Sequence, residues 1–177
     1  MSRKYWDTVT KEEWSTKGYP WRPQTQDLCF LESVTAKDHV LLLGVTPEIR
    51  KILNSKNIKV TCVDYSVNAI REMSALFGGK QGSNETLVKD DWLTFKINEK
   101  FDVIIGDLVL NLVDPRDYIR LRDNLIRHLQ EGGRCYFRTL AKDTDTHNVE
   151  YSTNNAFLWV LKKSSFYIDL NFSKKKI

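Results

Sequence analysis

From residue 39 onward, short apolar runs alternate with segments of helical period, and the runs stop at a glycine or an acid. That alternation constrains the fold more than any other feature of the chain. HVLLL (39–43) ends at Gly44, KVTCV (59–63) at Asp64, TLVK (86–89) at Asp90-Asp91, and FDVII (101–105) at Gly106-Asp107. Brief runs of apolar and β-branched residues between turn signals read as buried strands. Helix starts lie between them. Thr46-Pro47-Glu48 offers a capping hydroxyl, a proline at the first helical position and an acid in the first turn. Ser66 caps a second helix with Ala69, Ile70, Met73, Leu76 and Phe77 on its apolar side, and Gly78-Gly79 ends it. Pro115 opens a third through Leu121, Leu125 and Leu129, which Gly132-Gly133 breaks before a fifth strand, RCYFRTL (134–140). Strands alternating with helices make βαβ units, hence a parallel sheet with right-handed crossovers. The expected fold is α/β, a doubly wound open sheet.

The two ends depart from the pattern. Residues 1–35 are rich in aromatics (Tyr5, Trp6, Trp14, Tyr19, Trp21, Phe30) and are expected to form an N-terminal helical cap on the domain of residues 36–177. After the fifth strand, Ala141–Asn155 is polar and turn-like. Phe157–Leu161 and Phe166–Phe172 fit either a hairpin around residues 162–165 or a short helix followed by a strand, and periodicity does not decide between them. A chain of 177 residues is one domain, long enough to bury roughly 70% of its unfolded surface. Hydrophobic residues at 41% and charged at 28% exclude a disordered chain. No stretch approaches the ~20 apolar residues of a membrane span, and no apolar core of a secretory signal follows Met1. Cys29, Cys62 and Cys135 share no metal spacing, so free thiols in a reducing cytoplasm are expected. The net charge of +4 includes the tail run Lys174-Lys175-Lys176, which leaves the rest near neutral. A nucleic-acid partner is compatible with that balance and unsupported by it.

In an open α/β sheet the ligand sits beyond the carboxyl ends of the strands, where strand order reverses. Four such ends here carry polar residues: Gly44-Val45-Thr46, Asp64-Tyr65-Ser66, Asp91-Trp92, and Gly106-Asp107. Any one acid alone reads equally as a helix cap or a turn. Four on consecutive strands point to a site. An acid about 20 residues beyond the glycine turn can accept both hydroxyls of a ribose. Asp91-Trp92 adds an acceptor for an adenine amino group and an aromatic face. The ligand could be a dinucleotide or S-adenosylmethionine. A dinucleotide fingerprint wants glycines where Thr46 and Ile49 stand, and Pro47 removes an N–H where a pyrophosphate would dock. A sulfonium nucleoside without phosphate suffers less from these losses.

The segments VLLLGVTPE (40–48), VTCVDYS (60–66), VKDDWLTF (88–95), FDVIIGDLVLNLV (101–113) and LQEGGRCYFRTL (129–140) resemble class I S-adenosylmethionine-dependent methyltransferases. The resemblance spans roughly residues 20–140 and is most like a bacterial branch with a G-V-T-P-E loop. It implies a Rossmann-like, mostly parallel sheet with an abbreviated C-terminal part. It also implies that Gly44 and Thr46 approach the methionine portion, with Val45 between them in the same site. Asp64 would hold the ribose, Tyr65 would pack beside adenine, and Asp91 and Trp92 would frame the ring. Asp107 would face the reacting end, as cofactor anchor or catalytic proton acceptor. Arg22, in Trp21-Arg22-Pro23, would pair with a carboxylate, or is a surface arginine before a turn; both readings stand.

Two departures narrow the expected function. Gly106-Asp107-Leu108-Val109 lacks the Asn/Asp-Pro-Pro-Tyr/Phe signature of enzymes that methylate amide or base nitrogens. After Leu140 only 37 residues remain for the closing part of the sheet. The chain is therefore expected to transfer a methyl group to an unidentified acceptor. The alternative is a truncated or degenerate module that binds S-adenosylmethionine or S-adenosylhomocysteine without turnover. A nucleotide-dependent oxidoreductase is the third reading, weakened by the missing glycines. Apolar residues within 156–172 are expected to be covered by a second copy of the chain.

Overall fold

The apolar runs become the strands of one six-stranded sheet in the computed structural model, which describes residues 3–77, 82–139, 151–153, 156–158 and 166–169. The strands β1 (His39–Leu43), β2 (Lys59–Asp64), β3 (Glu85–Lys89), β4 (Phe101–Asp107) and β5 (Leu129–Thr139) are mutually parallel. Their order is β3-β2-β1-β4-β5, followed by β8 (Phe166–Asp169), which runs antiparallel on β5. Strand order reverses between β1 and β4, so the crevice opens at their carboxyl ends. Register does the rest. Leu43 pairs with Val63 on one side and with Gly106 on the other, so Gly44, Asp64 and Asp107 leave the sheet in one row. Asp107 itself pairs with Arg138 on β5.

Alternation along each strand builds two cores. Val40 and Leu42 face one side with Val60, Cys62, Val103 and Ile105, under Ile49 and Leu53 of α3 (Pro47–Ser55) and Ala69 and Met73 of α4 (Val67–Ala75). Leu41 and Leu43 face the other with Val63, Ile104, Cys135 and Phe137, under Leu121 and Leu125 of α5 (Tyr118–His128). Each buried Val, Leu, Ile, Phe or Met among them stabilises the fold by ~1.5–3 kcal/mol through burial alone. The N-terminal segment joins the first core. Its α1 (Arg3–Trp6), α2 (Lys11–Thr16) and 3₁₀ turn (Thr25–Ser33) place Trp14, Leu28 and Leu31 against it, with Val34 beyond. Hydrogen bonds then tie the segment to α4 and its cap: Ser66 Oγ donates to the Trp6 carbonyl at 2.9 Å, Asn68 Nδ2 to Val9 O at 2.8 Å, and Lys11 N to Glu72 Oε2 at 3.2 Å.

Four local expectations are corrected. Thr46 does not cap α3 with its side chain, because its hydroxyl is directed to Asp107. The third long helix begins at Tyr118 instead of Pro115, since Asp114 accepts from Arg116 N and holds Pro115–Asp117 in a 3₁₀ turn. That helix ends at His128, and β5 already begins at Leu129, so Gly132-Gly133 lies within the strand. Phe101 pairs with Leu129 and Val103 with Arg134, and Gly132 at φ +75° absorbs the extra residues as a bulge. Finally, the C-terminal hairpin pairs β6 (Tyr151–Thr153) with β7 (Ala156–Leu158), within and beyond the stretch read as polar turn, while β8 joins the main sheet. The rest of 140–177, with most of the segment 156–172 expected to contact a second copy, lies outside the described residues. Among the described residues, no helix is long and apolar enough to cross a membrane.

Candidate functional site

The floor of the crevice is Gly44, at φ +100°, a backbone conformation that a side chain resists. A Cβ there would stand 3.7 Å from Trp92 Cζ2 and 3.8 Å from Asp64 Oδ2, so the ends of β1, β2 and the β3 loop converge on one point. Gly44→Ala is expected to cost ~1–2 kcal/mol from the φ angle alone, since the space itself is open. Thermal unfolding of the variant checks this, with a fall of ~2–8 °C expected.

Asp64 is buried at 6% exposure. Its Oδ1 accepts from Ser66 N at 2.8 Å, while Oδ2 is the oxygen beside Gly44. Burial pushes its carboxyl up to about 6; the Ser66 hydrogen bond opposes the rise and nearby Asp7 adds to it. Asp107 is buried too. Arg138 Nε donates to its Oδ1 at 2.5 Å and Thr46 Oγ1 to its Oδ2 at 3.1 Å. Burial still raises its carboxyl above the ordinary range, against the pull of Arg138. Trp92 donates its indole N–H to Val63 O at 2.7 Å, and its half-buried ring both packs against the second core and lines the crevice. Asp91 Oδ1 accepts from Leu93 N at 2.9 Å and fixes the turn that carries Trp92.

These residues line a cleft in two connected parts. The narrower part, of about 530 Å³, lies over the ends of β1, β2 and β4 and is bounded by Gly44, Val45, Thr46, Asp64, Tyr65, Trp92 and Asp107. Trp6, Trp14 and Trp21 supply its remaining wall from the N-terminal segment. The wider part, of about 1150 Å³, shares Trp6, Tyr65, Trp92 and Leu112 with the first and extends past Asp91 to Asp114, Asp117 and Arg120. The ends of the four strands thus bring together every residue singled out from the sequence except Arg22. Arg22 lies off the cleft, with Nε and Nη2 both 2.7 Å from Glu48 Oε1 and Nη1 donating to Ser15 O. His128 is a structural residue: Nδ1 donates to Asn124 O, Nε2 accepts from Ile97 N, and burial lowers its pKa.

Sequence reasoning missed Arg138 and the three N-terminal tryptophans. The first left a signal, a charge inside the apolar run of a buried strand. The tryptophans left only their abundance.

No family model matches the sequence, and no curated protein matches it by sequence. Solved structures do match. The glycopeptide N-methyltransferase MtfA complexed with sinefungin is similar at TM-score 0.62 and 14% identity, over 85% of this chain and 67% of that one. The methyltransferase CcbJ from Streptomyces caelestis is similar at TM-score 0.67 and 16% identity, over 86% and 66%. The fold is Rossmann-like, as in these two methyltransferases. It is broad enough to be shared with a putative zinc-dependent alcohol dehydrogenase from Rhodobacter sphaeroides, at TM-score 0.67 and 17% identity over 78% and 55%. This chain spans about two thirds of the length of the methyltransferases it matches.

Proposed function

We propose that this protein binds S-adenosylmethionine in the narrow part of the cleft and transfers its methyl group to an acceptor. One observation carries the reading. The charged residues lining that part are two carboxylates, Asp64 and Asp107, with no Lys, Arg or His among its described lining residues, and its other walls are mainly apolar, with Trp6, Trp14, Trp21, Tyr65 and Trp92 adding aromatic faces. Such a lining favours a cationic nucleoside and repels a pyrophosphate. Gly44 leaves room for a ribose beside Asp64 Oδ2, and Pro47 withholds the N–H that a phosphate would use. MtfA, with sinefungin bound, offers a precedent in fold.

Bound in this way, the cofactor would supply an activated methyl group on a sulfonium. The chain's own residues would do the rest. Asp64 would accept the ribose hydroxyls, Tyr65 and Trp92 would flank the adenine, and Asp91 would face its amino group. Asp107, fixed through both oxygens, would hold negative charge at the reacting end, and Trp21 would exclude water there. Thermal-shift measurements with S-adenosylmethionine, S-adenosylhomocysteine and NAD test the assignment. Stabilisation by the first two and none by NAD is expected; the reverse would sink it. A methyl-transfer assay over a broad acceptor panel then separates an enzyme from a module that only binds.

Saturation with S-adenosylhomocysteine is expected to change the fluorescence of a variant whose only tryptophan is Trp92, since that ring would stack on adenine. An unresponsive signal from a ligand-bound variant would put Trp92 outside the contact.

A further inference from the structure

The two sides of the cleft are joined by a side chain that does not line it. Arg138 projects from β5 with its side chain 2% exposed. Nε donates to Asp107 Oδ1, Nη1 to Pro20 O at 2.8 Å and Nη2 to Trp21 O at 3.4 Å. The second oxygen of Asp107 is taken by Thr46 Oγ1. One planar guanidinium therefore locks the carboxylate at the end of β4 and holds two consecutive carbonyls of the segment that carries Trp21 to the cleft rim. Trp21 is 37% exposed there and lines the narrow part.

We propose that Arg138 is the positioning residue of the reacting end: it fixes the Asp107 carboxylate and the Trp21 wall relative to each other, through separate donors. The proposal rests on the cofactor reading for its ligand. It divides Arg138 into two roles with different chemistry. Keeping Asp107 ionised needs only a cation. Holding both carbonyls as well needs the rigid fork, which a lysine ammonium cannot supply from one point.

The split is testable on the full-length chain as R138K, R138M and D107N/R138M. S-adenosylmethionine carries a positive charge where S-adenosylhomocysteine is neutral, so the ratio of their affinities, from calorimetry, reports the charge of Asp107. Fluorine NMR of 5-fluorotryptophan-labelled protein, with the Trp21 signal assigned through W21F, reports the wall. R138K is expected to keep the wild-type ratio while its Trp21 resonance moves toward the solvent-exposed position. In R138M the ratio falls about tenfold toward the neutral ligand and the resonance moves as well. Should R138M fail to fold, D107N/R138M, which leaves no buried carboxylate unpaired, still gives the Trp21 displacement. An unmoved Trp21 resonance in R138K and D107N/R138M, or an unchanged ratio in folded R138M, overturns the proposal. If the wild type binds neither nucleoside, the cofactor reading fails, and the Trp21 resonance alone still decides whether Arg138 sets the wall.

Discussion

Asp64→Ala is expected to abolish the thermal stabilisation that S-adenosylhomocysteine confers on the wild type. Hydrogen bonds from the two ribose hydroxyls to a buried carboxylate are charge-assisted and worth ~1.5–3 kcal/mol each. A ligand at 100 times its Kd stabilises by ~2.7 kcal/mol, so that loss removes nearly all of the shift. A folded variant that binds unchanged would place the ribose elsewhere. Asp64→Asn separates folding from binding, because the amide oxygen can still accept from Ser66 N while the buried charge is gone.

The elevated carboxyl of Asp64 gives this a pH signature. Its pKa is about 6 in the folded chain against 3.8 for the free group, so between those values the folded state binds more protons than the unfolded one. Stability of the unliganded protein from this group therefore falls as pH rises through that window, reaching a penalty of ~3 kcal/mol above pH 6. Asn removes the penalty, so the variant is expected to be more stable than wild type at pH 7.5 and yet to bind poorly. Ribose hydroxyls donate to the ionised form, so wild-type affinity for S-adenosylhomocysteine should rise about fivefold between pH 5 and pH 6, about tenfold by pH 7, and level off above. Asp7 is the acid that acts on this group, Asp107 lines the same narrow part of the cleft, and among the described residues that part brings no basic side chain to it. Calorimetric Kd values from pH 5 to 8 check the profile; a flat wild-type curve, or a sloping one for Asp64→Asn, contradicts the assignment.

The second large effect lies away from the cleft. Arg50 on α3 and Glu85 on β3 have fully buried side chains, joined by Nε–Oε1 and Nη2–Oε2 contacts of 2.7 Å each. Arg50→Met leaves the Glu85 carboxylate buried without its cation and is expected to cost ~3–5 kcal/mol. For a chain of this length that is a fall of ~6–20 °C in Tm. Replacing both partners, Arg50→Met with Glu85→Leu, should return stability to within ~1 kcal/mol of wild type or raise it. Urea unfolding of the single and double variants decides; a single variant as stable as wild type would mean that the pair contributes nothing.

Much of the site was legible because strand ends are written locally. Gly44, Asp64 and Asp107 each close an apolar run, and parallel register then sets them in one row. Thr46 was legible as a residue and not as a role: its hydroxyl was read as the cap of α3, but Asp107 on β4 offers a buried carboxylate, and that acceptor prevails. The glycine pair at 132–133 misled for a related reason. A glycine turn looks the same in sequence whether it ends a helix or bulges a strand, and only pairing with β4 decides. Trp21 and Arg22 show the limit most plainly. The charged residue drew notice, whereas its apolar neighbour is the one on the cleft. Which of two adjacent side chains turns inward depends on the Arg138 fork, 117 residues away from Trp21.

That separation bears on how the chain reaches its final state. Residues 5–22 are made first, but their partners on α4 and β5 lie 59 to 118 positions downstream. Loop closure over such spans costs entropy that local contacts do not return, so the tryptophan wall docks after the sheet has formed. A unit that docks last is expected to be the first to open in the native state. Amide hydrogens of residues 5–22 should therefore exchange faster than those of β1 and β4. Ligand capture should slow that exchange selectively, linking occupancy of the cleft to the last step of folding.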